Sequence, residues 1–164
     1  MNLRGKLTEF MVMHDLVPVR TRWKKSASGI GRMFNDVFHI MDRNERAKLG
    51  EMMYAWGFED ADEIVETLKI ERNLHGCAIA LMGMHRVFGI KSQIVEENAD
   101  LVKIRATECL WVNKKDWTPE VCASIDGYER GLTEGIDKNI MHICTKRRSS
   151  GDKFCMFILK NRQE

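Results

Sequence analysis

Apolar residues in the first half of the chain recur at the spacing of a helix. The stretch 30–41 places them on one helix face, at Met33, Phe34, Val37, Phe38 and Met41. An earlier stretch, Leu3 to Leu16, has the same spacing and predicts a helix that Pro18 interrupts. The intervening segment, Thr21 to Gly31, is basic and rich in small residues, so we expect a loop or a mobile connection there.

An aspartate provides a clear helix start after this segment. Asp42 is followed three residues later by Glu45, which is an aspartate version of the capping box. The helix that begins here is expected to run to about Trp56 and to stop at Gly57, because glycine commonly follows the last helical residue. Its apolar stripe consists of Leu49, Met52, Met53 and Trp56.

A second aspartate predicts the longest helix of the chain. Asp60 is followed by Glu63, and apolar positions continue at helical spacing as far as Gly89. The second half of this helix, 76–83, is apolar nearly all round. A helix with this pattern is typically buried, so we expect it to be the central helix of the domain.

After Gly89 the apolar period changes to that of strands. Val102, Ile104 and Ala106 alternate with polar residues, which is typical of an antiparallel sheet with one covered face. The last strand is apolar on both faces and is therefore expected to be central. Four strands are predicted: Ile90–Glu96, Leu101–Cys109, Asn139–Lys146 and Lys153–Lys160.

One helix separates the second strand from the third. The run Thr118-Pro119-Glu120 is a strong start, with a hydroxyl cap, proline at the first position and an acid in the first turn. Gly131 and Gly135 are expected to weaken and end this helix. Between the last two strands, Gly151 can take the positive φ that a tight turn requires.

The predicted fold class is α+β, with N-terminal helices packed on a four-stranded antiparallel sheet and a β-β-α-β-β C-terminal half. We expect residues 1–164 to form a single domain. Within it, residues 1–29 are an N-terminal extension, 30–89 the helical part and 90–160 the ββαββ part.

Composition narrows the classes of function. A formal net charge of +2 over 164 residues does not suggest a nucleic-acid binder, because such proteins concentrate basic residues on one face. The chain has no run of about 18 apolar residues and no secretory signal at its start, so we expect no membrane association and a cytoplasmic location. The amphipathic N-terminal segment favours a homodimer.

The stretch 108–157 holds the candidate chemistry. Cys122 lies near the start of a predicted helix, where the helix dipole lowers a thiol pKa, and Asp126 is four residues on and shares its face. Glu108 and His142 are the other proton carriers of the stretch. These four residues are the candidate catalytic set, although a buried structural thiol is the alternative for Cys122.

A ligand pocket is expected beside them. Trp111 and Trp117 could stack on a flat ligand or cap the core, and Lys114 and Lys115 could attract a carboxylate. Cys109 and Cys155 are expected in the same pocket.

Metal binding is the alternative role for these thiols. The cysteine spacings contain no C-x2-C pair, so no zinc site is signalled and no cofactor is expected. Five cysteines in a cytoplasmic chain are expected to be reduced, and their odd number argues against a closed set of disulfides. The alternative is a zinc ion held by Cys109, Cys122 and Cys155, with His142 or Cys144 as a further ligand.

The order of these residues resembles the L-2-amino-thiazoline-4-carboxylic acid hydrolase family. The resemblance rests on four groups of residues in order: Cys109…Trp111, Cys122…Asp126, Gly131…Gly135 and Arg147…Gly151-Asp152-x-x-Cys155-x-Phe157. The same layout is similar to the 4-vinyl reductase domain, a small-molecule-binding module related in fold to a vesicle-transport subunit.

This resemblance implies a small-molecule-binding domain. It also implies an alternative, hydrolysis of a cyclic C–N bond of the thiazoline-carboxylate type, in which Cys122 and Asp126 would be nucleophile and acid/base partner. A structural or partner-binding module is the remaining interpretation.

Overall fold

Three long helices precede the first strand in the computed structural model, which describes residues 10, 11, 13, 19–112 and 116–162. The helices are α1 Val19–Ile40, α2 Arg43–Leu68, α3 Leu74–Val87 and, after two strands, α4 Pro119–Ile136. The strands are β1 Lys91–Glu97, β2 Leu101–Glu108, β3 Ile140–Lys146 and β4 Cys155–Asn161, with a 3-10 turn at Arg148–Ser150 before the last. The predicted α+β class and the ββαββ order are confirmed.

The four strands form one antiparallel sheet in the order β1-β2-β4-β3. β4 is therefore central, as its two apolar faces predicted. On β2 and β4 the residues that face the helices are buried, and Ile104 pairs with Phe157 across the two strands. Gly151, in the turn before β4, has a φ of 93°, which confirms the predicted positive-φ position.

The core lies between the inner face of this sheet and the helices α3 and α4. Cys77 and Leu81 of α3 are fully buried, and so are Leu132 of α4 and Leu159 of β4. α3 is thus the central buried helix that the apolar run predicted. Its burial follows from a surface that is apolar nearly all round, since such a helix has no face to expose to water.

The helix starts are those that the sequence predicted. The Asp42 side chain accepts hydrogen bonds from the backbone N–H groups of Asn44 and Glu45 at 2.7 and 2.9 Å, and Glu45 Oε2 accepts one from the Asp42 N–H at 2.8 Å. The Thr118 hydroxyl accepts from the N–H of Val121 at 3.4 Å. Side-chain acceptors at these positions satisfy N–H groups that have no partner inside the helix.

The predicted stop at Gly57 is wrong. α2 continues through Gly57 and Asp60 and ends at Leu68, where Lys69 takes the left-handed conformation with φ 53°. Asn73 then caps a separate helix, α3, by accepting from the N–H of Gly76 at 2.8 Å. The predicted long helix from Asp60 to Gly89 is therefore two helices.

Glycines on α2 and α4 allow the two helices to pack backbone against backbone. A Cβ atom at Gly57 would collide with the carbonyl oxygen of Tyr128, and one at Gly131 with that of Tyr54. A Cβ at Gly127 would be 2.8 Å from the carbonyl oxygen of Gly50. α4 ends at Ile136, one residue after Gly135, as the sequence predicted. Gly131 lies inside the helix as a contact position with α2 and does not interrupt it.

The predicted loop at Thr21–Gly31 is also wrong, because α1 is helical from Val19 to Ile40. Ala27 and Gly31 are buried, and Trp111 donates a hydrogen bond from Nε1 to the Ala27 carbonyl at 2.9 Å. Tertiary contact with this tryptophan outweighs the low helix propensity of the two glycines in the segment. The predicted helix Leu3–Leu16 lies almost entirely outside the described residues.

No helix among the residues that the structure describes is long and apolar enough to cross a membrane.

The glycine packing predicts opposite effects for two glycine-to-alanine changes in α2. Gly57→Ala should lower the free energy of unfolding by about 1–3 kcal/mol, because the new methyl group overpacks the contact with α4. Gly50→Ala is the matched control, since a Cβ there would have no neighbour within 4 Å. It should raise stability by up to about 1 kcal/mol through helix propensity alone. Urea unfolding of the two variants measures both, and equal effects would contradict the packing account.

Candidate functional site

A small cavity of about 50 Å³ lies between the first half of α4, the inner face of the sheet and the loop that follows β2. We call it the central cavity. It contains most of the candidate residues that the sequence singled out: Cys109, Trp111, Trp117, Cys122, Asp126 and Cys155, together with Cys144. Elements far apart in the sequence therefore converge on one space.

Cys122 and Asp126 both face the central cavity, which confirms that they share one face of α4. The indole Nε1 of Trp117 donates to Cys122 Sγ at 3.0 Å. Burial raises the pKa of the Cys122 thiol above its ordinary value, and the hydrogen bond from Trp117 opposes this only in part. The expected lowering of the thiol pKa by the helix start is wrong in its net direction. Excluding a thiolate from water raises the pKa more than the helix dipole lowers it.

The other three thiols of the cavity are also protonated. Burial raises the pKa of Cys109 and of Cys144, and it raises the pKa of Cys155 to about 11. Among the described residues no three His, Cys, Asp or Glu side chains are grouped closely enough to hold a metal ion. In this state the thiols present a soft, weakly polar surface to the cavity. That the protein needs no cofactor stays a prediction.

The two tryptophans are interior walls of the cavity. Trp111 and Trp117 are 4% and 7% exposed, and their ring centroids are 5.5 Å apart. They belong to a second apolar cluster with Phe38 of α1 and Val121 of α4. They therefore cap this part of the core and border the cavity at the same time. Lys114 and Lys115 lie outside the described residues.

Asp126 and Arg147 form an ion pair at the edge of the central cavity. Burial raises the pKa of Asp126 to about 7, the negative charge of Glu129 acts in the same direction, and the Arg147 guanidinium opposes both. Asp126, Arg147 and Cys144 also border an outer cleft of about 380 Å³ between α2 and α4. The ion pair thus separates the cavity from this cleft.

The sequence analysis missed a buried carboxylate, Glu129, between two histidines. Glu129 is 3% exposed, borders the central cavity, and its Oε1 is 3.2 Å from His85 Nε2. His85 Nδ1 is 3.0 Å from the Ser92 hydroxyl, which accounts for its second ring nitrogen. Glu129 Oε2 has no hydrogen-bond partner within the described part of the chain and is 4.0 Å from His142 Nε2. The sequence did contain a local indication of this residue. Glu129 follows Asp126 by three residues on the predicted helix, and residues at this spacing are neighbours on the helix surface.

The remaining two catalytic candidates lie elsewhere. His142 is on the inner face of β3, beside Glu129, and lines the outer cleft; burial lowers its pKa, which favours the neutral ring. Glu108 is exposed at the end of β2 and pairs with Lys91 Nζ at 3.2 Å. The structure therefore brings Cys122, Asp126 and, through Glu129, His142 together, but it does not bring Glu108 to them.

An apolar groove of about 390 Å³ adjoins the central cavity. Trp111 and Ile125 line both spaces and form the wall between them. The other apolar side chains of the groove come from all four helices: Ile30, Phe34, Met53, Trp56, Met84, Phe88 and Tyr128. The site thus combines a small, partly polar cavity with a larger apolar space.

The sequence matches no protein-family model and no curated protein. Solved structures that are similar to the chain include the following two. The phenol-responsive sensory domain of the transcription activator PoxR, with phenol, aligns over 82% of this chain and 74% of its own, with a TM-score of 0.59 and 13% identity. A trafficking protein particle complex subunit 3 from Naegleria fowleri, covalently bound to palmitic acid, aligns over 85% of this chain and 97% of its own, with a TM-score of 0.65 and 14% identity.

At these identities the likeness shows the fold alone. The expected relation in fold to a vesicle-transport subunit is confirmed by the second structure. Membership of the thiazoline-carboxylate hydrolase family is not supported, because no family model matches the sequence.

The raised pKa of Asp126 predicts a specific pH dependence of stability. Between pH 3.8 and about 7 the unfolded chain ionises this carboxyl before the folded protein does. Ionisation of Asp126 therefore favours the unfolded state over that range, and the contribution of this group to the free energy of unfolding falls as the pH rises. Asp126→Asn lacks the group, so its stability relative to the unmodified protein should increase from pH 4 to 7 and then level off. Urea unfolding of both proteins across this range measures the difference, and a difference that shrinks with pH would contradict the assignment.

Proposed function

We propose that this chain is a small-molecule-binding domain whose ligand occupies the central cavity. The observation that carries the proposal is the cavity itself, which has aromatic and thiol walls and is bordered by Glu129, a buried carboxylate with one oxygen that has no partner among the described residues. Ligand sites in proteins typically combine an apolar lining with a few convergent polar groups.

The lining favours an uncharged ligand body with a hydrogen-bond donor. Apart from Glu129 and the paired side chains of Asp126 and Arg147, the walls are apolar or carry thiols, so a charged ligand body would lose hydration with little compensation. Glu129 Oε2 is a buried acceptor, and a buried acceptor without a donor costs about 1–3 kcal/mol. A ligand O–H or N–H group directed at Glu129 would remove that cost.

The size of the ligand depends on the wall between the cavity and the apolar groove. About 50 Å³ accommodates only a small group, whereas the groove offers about 390 Å³. A larger ligand would require Trp111 or Ile125 to move, which would join the two spaces. The ligand would then place its polar group beside Glu129 and its apolar body towards the groove.

The molecules bound in the two similar structures support this proposal. One is the structure of a sensory domain with phenol, and the other is that of a subunit covalently bound to palmitic acid. Both are small molecules with a mainly apolar body and one polar group. The shared α+β fold therefore accommodates ligands of the proposed chemistry in other proteins.

The hydrolase alternative has no specific observation in its favour. A thiol nucleophile must be ionised, and burial raises the pKa of Cys122. Glu108, a candidate proton carrier, is outside the cavity. A cytoplasmic location and the absence of nucleic-acid partners stay predictions.

Phenol is the first probe of the proposed function. At 100 times its Kd a ligand adds about 2.7 kcal/mol of stability, which should raise the Tm by about 5–10 °C. Ala106→Val narrows the central cavity and should abolish this increase. Ala80→Val is the matched control, because Ala80 is equally buried in α3 but does not line the cavity. The increase in Tm with ligand is measured for each variant from that variant's own Tm without ligand.

The proposal is wrong if neither phenol nor dodecanol, a probe with a longer apolar body, raises the Tm of the unmodified protein. It is also wrong if the two valine variants and the unmodified protein respond alike.

The buried position of Glu129 predicts that the site binds ligands with a hydrogen-bond donor more tightly than ligands without one. A hydrogen bond to a charged group contributes about 1.5–3 kcal/mol, so phenol should bind at least about 10-fold more tightly than anisole. Glu129→Gln should reduce that ratio several-fold, because the acceptor loses its charge. Glu134→Gln is the control on the same helix, since Glu134 pairs with Arg162 and does not line the cavity. Isothermal titration calorimetry measures the ratio, and an unchanged ratio in Glu129→Gln would remove Glu129 from the proposed site.

A further inference from the structure

A cleft of about 580 Å³ lies where the start of α1, the end of α3 and the edge strand β1 meet. Four cationic side chains line it: Arg20 and Lys24 of α1, Arg86 of α3 and Lys91 of β1. None of these four residues lines the central cavity, the outer cleft or the apolar groove. We call this space the basic cleft.

The helical spacing of α1 places one side of the basic cleft. Arg20, Trp23 and Lys24 are three and four residues apart, so their side chains share one helix face. A Cβ atom at Gly89 would be 3.2 Å from the Trp23 ring, so this ring lies beside the connection between α3 and β1. The basic segment that the sequence predicted to be a loop is therefore part of a helix that meets the domain here.

The charges of the basic cleft are not balanced within it. Glu108 is the acidic residue that lines the cleft in the described part of the chain, and it pairs with Lys91 Nζ at 3.2 Å. Arg20, Lys24 and Arg86 have no carboxylate partner among the described residues. The formal net charge of the whole chain is only +2, so this local excess does not reflect a generally basic protein. A cleft lined by charges of one sign concentrates ions of the opposite sign.

The uncharged lining adds an apolar wall and neutral donors. Trp23 and Leu110 present apolar surface to the cleft, and Gln93 and Thr107 supply an amide and a hydroxyl. Ligand sites typically combine apolar surface with a few convergent polar groups. The lining therefore favours an anion that carries an apolar body over an inorganic ion alone.

We propose that the basic cleft binds an organic phosphate, a free small molecule with a phosphate group and an apolar body. A phosphate monoester carries about −1.5 to −2 charge near pH 7, which matches the unpaired cations in sign and number. Arginine guanidinium groups such as those of Arg20 and Arg86 bind phosphate oxygens in a bidentate manner. The concave shape favours a small molecule, because side chains from three elements surround one space. This site is separate from the one proposed for the central cavity and does not depend on it.

Isothermal titration calorimetry with adenosine monophosphate, inorganic phosphate and adenosine tests the class of ligand. The first probe combines the phosphate with a flat apolar body, whereas the other two each carry one of these parts. Adenosine monophosphate should bind at least about 10-fold more tightly than either part. Raising the ionic strength from about 0.05 to about 0.3 M should weaken its binding, because salt screens exposed charges.

Two neighbouring lysines of α1 provide matched variants. Lys24 and Lys25 are both exposed, and their replacement by glutamine removes the same charge, but only Lys24 lines the basic cleft. Lys24→Gln should weaken the binding of adenosine monophosphate by about 5-fold, whereas Lys25→Gln should weaken it by less than about 2-fold. Arg86→Gln repeats the test on α3 and should have an effect at least as large as that of Lys24→Gln. Circular dichroism should show that all three variants are folded.

The proposal is overturned if adenosine monophosphate does not bind the unmodified protein at low ionic strength, or if either of its parts binds as tightly. Equal weakening by Lys24→Gln and Lys25→Gln would also overturn it. Co-sedimentation with phosphatidylglycerol vesicles tests a lipid as the source of the phosphate. Vesicle binding that Lys24→Gln reduces, together with no binding of adenosine monophosphate, would assign these cations to a membrane surface instead.

Discussion

Direct backbone contact between α2 and α4 is the constraint on which the rest of the structure depends. Gly57 on one helix and Gly131 on the other allow this approach, since a side chain at either position would collide with a carbonyl oxygen. At about 100° per residue, the face of α4 opposite its glycines carries Cys122, Asp126 and Glu129. Holding one face against α2 therefore turns the other face towards the sheet. The site exists because the same helix has a contact face of glycines and a chemical face of polar side chains.

One polar group of this chemical face, Glu129, is buried in the core of the domain. Glu129 is almost fully buried, and its first carboxylate oxygen is paired with His85. Its second oxygen and His142 Nε2 both lack partners in the described structure. Buried polar groups are normally satisfied, and departures from that rule concentrate where a protein binds or transforms something. This is why Glu129, rather than a cysteine, carries the specificity of the proposed site.

The cysteines suit a different role from the catalytic or metal-binding one that their number suggests. Four of them converge on the cavity, yet burial raises the pKa of each. A protonated, buried thiol is a small polarizable surface, which suits contact with an apolar ligand. The same burial that makes the cavity suitable for binding removes the thiolate that covalent catalysis would require. The raised thiol pKa values are therefore consistent with the proposed binding function and do not favour covalent catalysis by a cysteine.

Local sequence signals determined much of the secondary structure of this protein. The capping box at Asp42, the start at Thr118, the strand alternation and the shared face of Cys122 and Asp126 all follow from residues a few positions apart, because caps, periods and i,i+4 neighbours are local properties. Tertiary structure decided the rest. Gly57 has the same local appearance whether it ends a helix or admits a neighbouring backbone, and only α4 distinguishes the two. The pairing of Glu129 with His85 joins residues 44 positions apart, and the direction of each thiol pKa depends on burial that no short stretch encodes. The sequence by itself therefore determined the strands, the helix starts at Asp42 and Thr118 and the faces of these elements. The packing of those faces decided how far α1 and α2 extend and which polar groups lost contact with water and came to line the candidate site.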